Sequence, residues 1–354
     1  MTTTIRRPGN LFLPILAVLA VACAGGSAEE NDAAGTSAQT LTLGAYTTPR
    51  EVYAQVKPLF AKHYLASEQV SIAFQDSYLG SGAQSRAIAE GFEADVAALS
   101  LEPDIQRLVD AGLITHDWKA GPHRGIVSRS IVVLGVRAGN PHGIRDWDDL
   151  ARADIEVLTP NPRTSGGAMW NVAALYGAAL RGYTSAPAGD TSAADALLRR
   201  VLQNVTVMDK GARESMLTFE ASVGDVIITY ENEIVAAQRA GQAVEYVVPR
   251  STILIENPAA VVDAYASRHG TEASARAFVE FLTTEEVQRL FAAGGYRPVL
   301  SSIEAEFASS FPTVPDLFTI RDLGDWGRVV PALFGDRGAF DRAAEGLSDA
   351  NSAT

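Results

Sequence analysis

The sequence predicts an α/β protein with mostly parallel sheets, and two observations lead to this fold class. Short β-rich runs alternate with amphipathic helix-forming segments through most of the chain, as in proteins built from β-α-β units. Continuous apolar runs at 130–136 and 226–230 are typical of strands buried on both faces of a parallel sheet. No internal repeat or heptad pattern suggests a different architecture.

The elements follow from local signals along the chain. Thr48-Pro49-Arg50-Glu51 predicts a capping box that opens a helix to about Tyr64, and Gly80-Ser81-Gly82 introduces the next one. We predict helices over 83–91, 103–111, 147–151, 167–181, 273–282 and 285–293. Period-2 or continuous apolar runs predict strands over 41–46, 70–74, 95–99, 130–136, 155–158, 205–208, 226–230 and 244–248.

The N-terminus has the layout of an export signal. Arg6 and Arg7 precede an apolar run that ends at Cys23, which predicts a signal peptide over 1–22 rather than a membrane span. Cys23 is the single cysteine, so an internal disulfide is impossible. Its context resembles a bacterial lipobox, which implies cleavage before Cys23 and lipid on its sulfur; plain secretion is the alternative. Residues 23–39 are then the lipidated cysteine and a small, polar, flexible tether.

Length and charge narrow the possible functions. Removing residues 1–22 leaves 332 residues and, with Arg6 and Arg7 lost, changes the formal net charge from −13 to −15. That length suits two lobes rather than one core. A chain this acidic lacks the basic surface that nucleic-acid-binding proteins need. It also has no overall positive potential that would attract an anion. Any bound anion must therefore be held by local, directed donors.

Residues 161–173 carry the most specific local signal for a binding site. An Asn-Pro turn leads to Ser165, Gly166 and Gly167, and an amphipathic helix follows at once. Ser165 is a good N-cap, and the glycines let the backbone approach a ligand. Because the first turn of a helix has four N–H groups without intrahelical partners, this is an anion site made of neutral donors. An ordinary capped helix is the alternative. Trp170, in the same helix, is expected to be core.

The sequence contains no catalytic or metal-binding pattern. Ser81 and Ser165 do not lie in Gly-x-Ser-x-Gly, and no histidine is placed to act as their base. A phosphate-loop motif is missing too, so the chain is predicted to be neither an enzyme nor the ATPase of a transporter. We expect no metal and no cofactor, because the histidines lack metal-ligand spacing: His63, His116, His123, His142 and His269.

Several blocks of the chain resemble the extracytoplasmic sulfate-binding proteins of sulfate/thiosulfate ABC transporters. They lie at 46–53, 80–84, 161–170, 209–213, 224–233 and 295–298. The most specific are the Asn-Pro-Arg-Thr-Ser-Gly-Gly-Ala run that starts at Asn161 and the Gly-Asp-Val-Ile-Ile-Thr-Tyr-Glu-Asn-Glu run that ends at Glu233. The resemblance extends from about Leu41 to Phe340.

This resemblance implies the two-lobed fold of type II periplasmic binding proteins, in which the ligand lies in a cleft between two α/β lobes. It implies a hinge of crossing strands near 130–138 and 247–257, and closure of the lobes over the ligand. Lobe 1 is then expected to contain residues 40–135 and 250–354, and lobe 2 residues 136–249.

The resemblance also implies which groups contact sulfate. Lobe 1 would supply the backbone N–H groups of Thr47 and Ser81. Lobe 2 would supply the N–H groups of Gly166, Gly167 and Ala212, the hydroxyl of Ser165 and the phenol of Tyr230.

Three charged residues beside these positions have more than one interpretation. Arg213 either supports the Ala212 loop from behind, as a second layer around the site, or is a solvated helix residue. Glu231 and Glu233 would repel an anion if they faced it, so we expect them to point away, capping a helix or pairing with arginine.

A site made only of donors would select between anions. Sulfate is fully ionised at neutral pH, whereas monobasic phosphate carries an O–H that needs an acceptor, so donors alone reject it. Three positions depart from better-known family members: Thr47 stands for Asp, Met169 for Arg, and Tyr230 for an indole donor. Since a phenol can accept as well as donate a hydrogen bond, Tyr230 bears directly on the choice of anion.

The sequence thus leads to a lipid-anchored, monomeric, non-enzymatic binding protein on the extracytoplasmic side of the membrane or in the periplasm. We expect it to capture sulfate, with thiosulfate as a second candidate, and to deliver it to the permease subunits of an ABC transporter. A binding protein for another tetrahedral oxyanion such as molybdate, or an anion sensor, are the alternatives.

Overall fold

A computed structural model describes residues 37–345 of the chain. The signal peptide predicted over 1–22, the lipid attachment at Cys23 and the tether up to residue 36 lie outside the described residues. Residues 37–39, which the sequence assigns to the tether, instead begin the first strand. They do so because they pair in parallel register with residues 70–72 of the second strand.

Strands and helices alternate as predicted over most of these residues. The strands are β1 (Ser37–Tyr46), β2 (Val70–Leu79), β3 (Val96–Ala98), β4 (Ile126–Arg137), β5 (Val157–Leu158), β6 (Val205–Val207), β7 (Val226–Tyr230), β8 (Val244–Val247), β9 (Ser251–Val261) and β10 (Asp316–Phe318). The helices are α1 (Arg50–Glu68), α2 (Ser81–Ala89), α3 (Glu102–Asp110), α4 (Gly166–Leu180), α5 (Thr191–Gln203), α6 (Ala212–Glu220), α7 (Glu231–Arg239), α8 (Asp263–His269), α9 (Glu272–Phe281), α10 (Glu285–Ala293), α11 (Ser301–Glu306), α12 (Asp325–Val329) and α13 (Ala339–Ala344).

The strands form one mixed sheet in the order β2-β1-β3-β9-β4-β7-β5-β6, with β8 on β4 and β10 on β9. Strands β1–β3 pair in parallel with one another, and so do β5–β7. We call these two parts, with the helices that cover them, the β1–β3 lobe and the β5–β7 lobe. Each antiparallel ladder involves β4 or β9, so the sheet is less uniformly parallel than the sequence suggests.

Strands β4 and β9 are the crossing strands expected between the lobes. Residues 126–131 of β4 pair with β9, and residues 132–136 pair with β7. The other end of β9, residues 259–261, pairs with β3. Each strand therefore runs from one lobe into the other, which is the arrangement that lets two lobes move about a common hinge.

The C-terminal segment packs differently from the predicted division. Trp326, Leu333 and Phe340 share a hydrophobic core with Trp170 of α4 and Leu197 of α5, and the Trp170 and Trp326 rings meet edge to face with centroids 4.7 Å apart. Residues 316–345 therefore belong with the β5–β7 lobe and not with lobe 1, because their apolar side chains cover α4 and α5. The other lobe boundaries stay a prediction.

The start of α1 also differs from its prediction. The N-cap is Pro49, which makes no side-chain cap hydrogen bond. The hydroxyl of Thr48 lies 3.0 Å from the Tyr296 hydroxyl instead, and Glu51 pairs with Arg213. Both side chains of the expected capping box are thus used in tertiary contacts. Within residues 37–345, no helix combines the length and apolar character needed to cross a bilayer.

Candidate anion-binding site

The predicted contact residues lie where helices begin after strands. Helix α1 follows β1 directly, α2 follows β2, and α7 follows β7; α4 and α6 begin at Gly166 and Ala212. Helix N-termini carry unpaired N–H groups and a partial positive charge. In α/β folds, ligands bind at the carboxyl ends of the strands, and this arrangement puts helix N-termini there.

Ser100, in the loop after β3, joins the two lobes at this place. Its hydroxyl oxygen lies 2.6 Å from the Tyr230 hydroxyl, and its backbone N–H donates to Ser81 Oγ at 2.9 Å. Its carbonyl accepts from Trp170 Nε1 at 3.0 Å. A Cβ added at Gly166 would lie 2.8 Å from Ser100 Oγ. Ser81, Gly166 and Tyr230 therefore meet at one serine, which the sequence did not indicate.

Tyr230 also packs against the other predicted contacts of its lobe. A Cβ on Gly167 would lie 2.8 Å from Tyr230 Cε2 and 3.2 Å from the Ala212 Cβ, so only glycine fits at position 167. Tyr230 is 1% exposed, and burial holds the pKa of its phenol well above the usual 10.0. The phenol is therefore protonated at neutral pH and can act as a donor.

A close backbone contact joins the lobes beside these groups. The N–H of Ala83, in the first turn of α2, donates to the Thr164 carbonyl at 3.3 Å. The Thr164 hydroxyl donates to the Lys210 carbonyl at 2.8 Å. A Cβ on Gly80 would lie 2.7 Å from the Thr164 oxygen and 2.9 Å from the Lys210 oxygen. Only a residue without a side chain permits this approach.

Ser165 has the local geometry that the sequence predicts. It is the N-cap of α4, is 3% exposed, and its Oγ accepts from the Ala168 N–H at 3.4 Å. Accepting this bond uses a lone pair, so the hydroxyl proton stays available for an anion. The buried Trp170, at 1% exposure, confirms the prediction that it belongs to the core.

Thr47 is brought toward the same region through its neighbours. The Tyr46 ring lies 6.5 Å from the Tyr230 ring, centroid to centroid, and the Thr48 carbonyl accepts from Arg213 Nη2 at 3.2 Å. Arg213 also contacts Glu51 at 3.1 Å. This arginine therefore links the start of α6 to the start of α1, and its role as a second layer around the site stays a prediction.

Glu231 and Glu233 pair with arginine, as expected. Glu231 forms two hydrogen bonds with Arg297, at 2.7 and 3.0 Å. Glu233 lies 2.9 Å from Arg213 Nε. Burial raises the pKa of Glu231, and it raises that of Glu233 to about 7 despite the attraction of Arg213. Glu233, in the first turn of α7, is thus a buried group with a pKa near neutral pH.

This raised pKa predicts a pH dependence of stability. Since the folded-state pKa of about 7 exceeds the ordinary 4.5, the folded state binds more protons between these pH values. The Glu233 contribution to the free energy of unfolding should therefore fall as pH rises from about 4.5 to about 7 and then level off. Urea unfolding of the wild type and of Glu233→Gln from pH 4.5 to 8 tests this prediction. The Glu233 contribution is the difference between the two plots of unfolding free energy against pH. Parallel curves would contradict the assignment.

Residues 37–345 bring no three His, Cys, Asp or Glu side chains together as a potential metal site. The chemistry that the site offers is hydrogen-bond donation from backbone N–H groups and hydroxyls. With its arginine neutralised by Glu51 and Glu233, the site suits a small anion held by neutral donors.

Comparisons with known proteins agree with this description. Residues 41–297 match the family described as bacterial extracellular solute-binding protein. The sulfate-binding protein of Synechococcus elongatus is 38% identical over 333 residues, which cover 94% of each chain. The thiosulfate-binding protein of Pseudomonas aeruginosa is 34% identical and aligns with 86% of this chain and 92% of its own.

A solved structure is also similar. The sulfate-binding protein SubI from Mycobacterium tuberculosis superposes with a TM-score of 0.77 at 42% identity, covering 84% of this chain and 99% of its own. The two-lobed α/β architecture and the crossing strands thus agree with a protein of known structure.

Proposed function

The chain belongs to the family of bacterial extracellular solute-binding proteins, and on this premise we propose that it captures sulfate outside the membrane and delivers it to the permease of an ABC transporter. Backbone N–H groups at Thr47, Ser81, Gly166, Gly167 and Ala212 would hold the anion, together with the hydroxyls of Ser165 and Tyr230.

The observation that carries this proposal is the meeting of Ser81, at a helix start of one lobe, with Gly166 and Tyr230 of the other lobe around Ser100, which brings helix N-termini of both lobes together. Sulfate has no proton to give, so a cluster of donors satisfies each of its oxygens. Neutral donors also avoid the desolvation of a charged side chain beside the ligand. The names of the relatives support sulfate and thiosulfate as the anions, and none of these names indicates catalysis.

Two finer statements belong to the same proposal. The Cys23 sulfur would carry lipid after cleavage before Cys23, which would hold the monomer at the extracytoplasmic face of the membrane. The protein would act by binding and release without turnover, since the described residues present no nucleophile paired with a histidine base.

A thermal-shift series on the lipid-free mature protein tests the proposed function. The protein is stripped of anion by unfolding and refolding, and sulfate, thiosulfate, molybdate and phosphate are compared at matched ionic strength. A ligand at 100 times its Kd adds about 2.7 kcal/mol to stability, so sulfate should raise the Tm clearly while phosphate should not. A larger shift with molybdate or phosphate would refute the assignment of sulfate.

Ser165→Ala should weaken sulfate binding by about 1.5–3 kcal/mol, because a hydrogen bond to a charged group is lost. Thr284→Ala is a matched control: Thr284 caps α10 by accepting from Val287 N–H at the same 3.4 Å. Each variant loses a helix cap worth about 1 kcal/mol of stability. Isothermal titration should show weaker binding only for Ser165→Ala; an unchanged Kd would remove Ser165 from the site.

A further inference from the structure

A cavity of about 540 Å³ lies beside the candidate anion-binding site, where the two lobes and the crossing strands meet. Trp170, which donates to the Ser100 carbonyl, also lines this cavity, so one tryptophan separates the two places. Its other walls include Arg124 and Arg129 before and within β4, Glu256 of β9, and Trp326 of α12. A cavity of this size accommodates a small organic molecule and is far larger than one tetrahedral ion needs.

Two guanidinium groups at the cavity make no ion pair with a described residue, although Glu256 lies opposite Arg129 in the β4–β9 ladder. Lys119 pairs with Glu102, and Arg321 lies 4.0 Å from Glu256. Arg124 and Arg129 form no ion pair with any side chain of residues 37–345, and within the same range the buried Nε of Arg129 has no hydrogen-bond partner.

A buried donor that is left unpaired costs about 1–3 kcal/mol, and more if it is charged. An acceptor group on a ligand would remove that cost. The cavity walls carry four cationic side chains and the three carboxylates of Glu102, Glu256 and Asp325, which leaves a net positive charge in a chain whose formal net charge is −13. The signal for an anionic group is therefore the Arg129 Nε that stays unpaired within residues 37–345.

The opposite wall is rigid. Trp170 and Trp326 are 1% and 6% exposed and meet edge to face, so they close this side of the cavity and leave almost no ring surface open to a ligand. The groups that can bind a ligand are therefore the polar and charged side chains of the other walls.

We propose that this cavity is a second ligand site, which binds a small organic acid through a carboxylate or sulfonate group. The acid group lies against Arg129 and Arg124. This site is separate from the sulfate contacts and does not depend on them. Because its walls come from both lobes and from β4 and β9, a bound acid favours one relative position of the lobes.

Isothermal titration of the mature protein with 4-toluenesulfonate, in saturating sulfate, tests the proposal. We expect saturable binding in the presence of sulfate and no binding of the uncharged 4-toluenesulfonamide. Arg129→Gln should weaken 4-toluenesulfonate binding at least tenfold. Arg328→Gln, in the same helix as Trp326 but outside the cavity walls, removes the same charge and should leave binding unchanged.

A second variant covers the case in which Arg129→Gln does not fold. Arg124 is exposed, so Arg124→Gln keeps the fold, and we expect a threefold or greater loss of 4-toluenesulfonate affinity. The proposal is overturned if 4-toluenesulfonate does not bind when sulfate saturates the protein, if the sulfonamide binds equally well, or if the arginine variants bind as the wild type does.

Discussion

Gly80→Val should weaken sulfate binding more than a hundredfold while leaving the fold intact. A Cβ at this position lies 2.7 and 2.9 Å from two backbone oxygens of the β5–β7 lobe, those of Thr164 and Lys210. Backbone atoms cannot rotate away as a side chain can, so the lobes must separate. Overpacking costs about 1–3 kcal/mol, sometimes more. Because valine adds two methyl groups beyond the Cβ, we expect Gly80→Val to cost about 3 kcal/mol of binding free energy or more. Isothermal titration with sulfate measures the loss.

Gly121→Val is the matched control for this prediction. A Cβ at Gly121 meets nothing within 4 Å, so its sulfate affinity and its unfolding curve should equal those of the wild type. If Gly80→Val bound sulfate normally, contact between Gly80 and Thr164 would not be needed for binding, and the described approach of the lobes would not be the ligand-binding state.

Arg297→Met should lower the free energy of unfolding by about 3–5 kcal/mol, because it leaves a buried carboxylate without its cation. Glu231 is 0% exposed, and Arg297 holds it by two hydrogen bonds. Arg297 also pairs its backbone with Arg129 of β4. Urea unfolding at pH 8, where the carboxyl is most readily ionised, measures the effect.

The control for the buried pair is an exposed one. Arg289 pairs with Glu285 and Glu306, and all three side chains are about half exposed. Arg289→Met should cost about 0–1 kcal/mol, as exposed ion pairs do. Equal losses for the two variants would mean that burial of Glu231 does not set the size of the effect. Because α7 starts at Glu231, Arg297→Met should also disturb Tyr230 and weaken sulfate binding.

Much of the fold was predictable, because buried strands have continuous apolar runs. The run over 130–136 lies within β4 and the run over 226–230 coincides with β7. Strand direction was not predictable from these runs. Continuous apolar runs suggest parallel pairing, yet β4 and β7 pair antiparallel with each other, and β9 (Ser251–Val261) was not among the strands predicted from apolar runs. The short elements β10 and α11–α13 were also missed, because three to six residues are too few to show a period.

The candidate site was predictable only in part, for a related reason. Ser165, Gly166 and Gly167 are adjacent in the chain, and their order matches a helix start. Ser100 has no such local signature. Its partners Ser81, Trp170 and Tyr230 are 19, 70 and 130 residues away, and two of its three polar groups act through the backbone. At Thr48 a local signal was present but misleading. The sequence predicted a helix cap, whereas the Thr48 hydroxyl contacts Tyr296 instead.

The order of the strands determines when this chain can fold. In the sheet, β9 lies between β3 and β4, yet in the sequence it comes long after both of them. As the polypeptide emerges from the ribosome, the edge of β3 at Val96–Ala98 lacks its β9 partner until residues 259–261 have been synthesised. Pairing so distant in sequence is slow to form. We therefore expect the nascent chain to stay unfolded until most of it has been translated, a condition that suits threading through a secretion channel before folding begins.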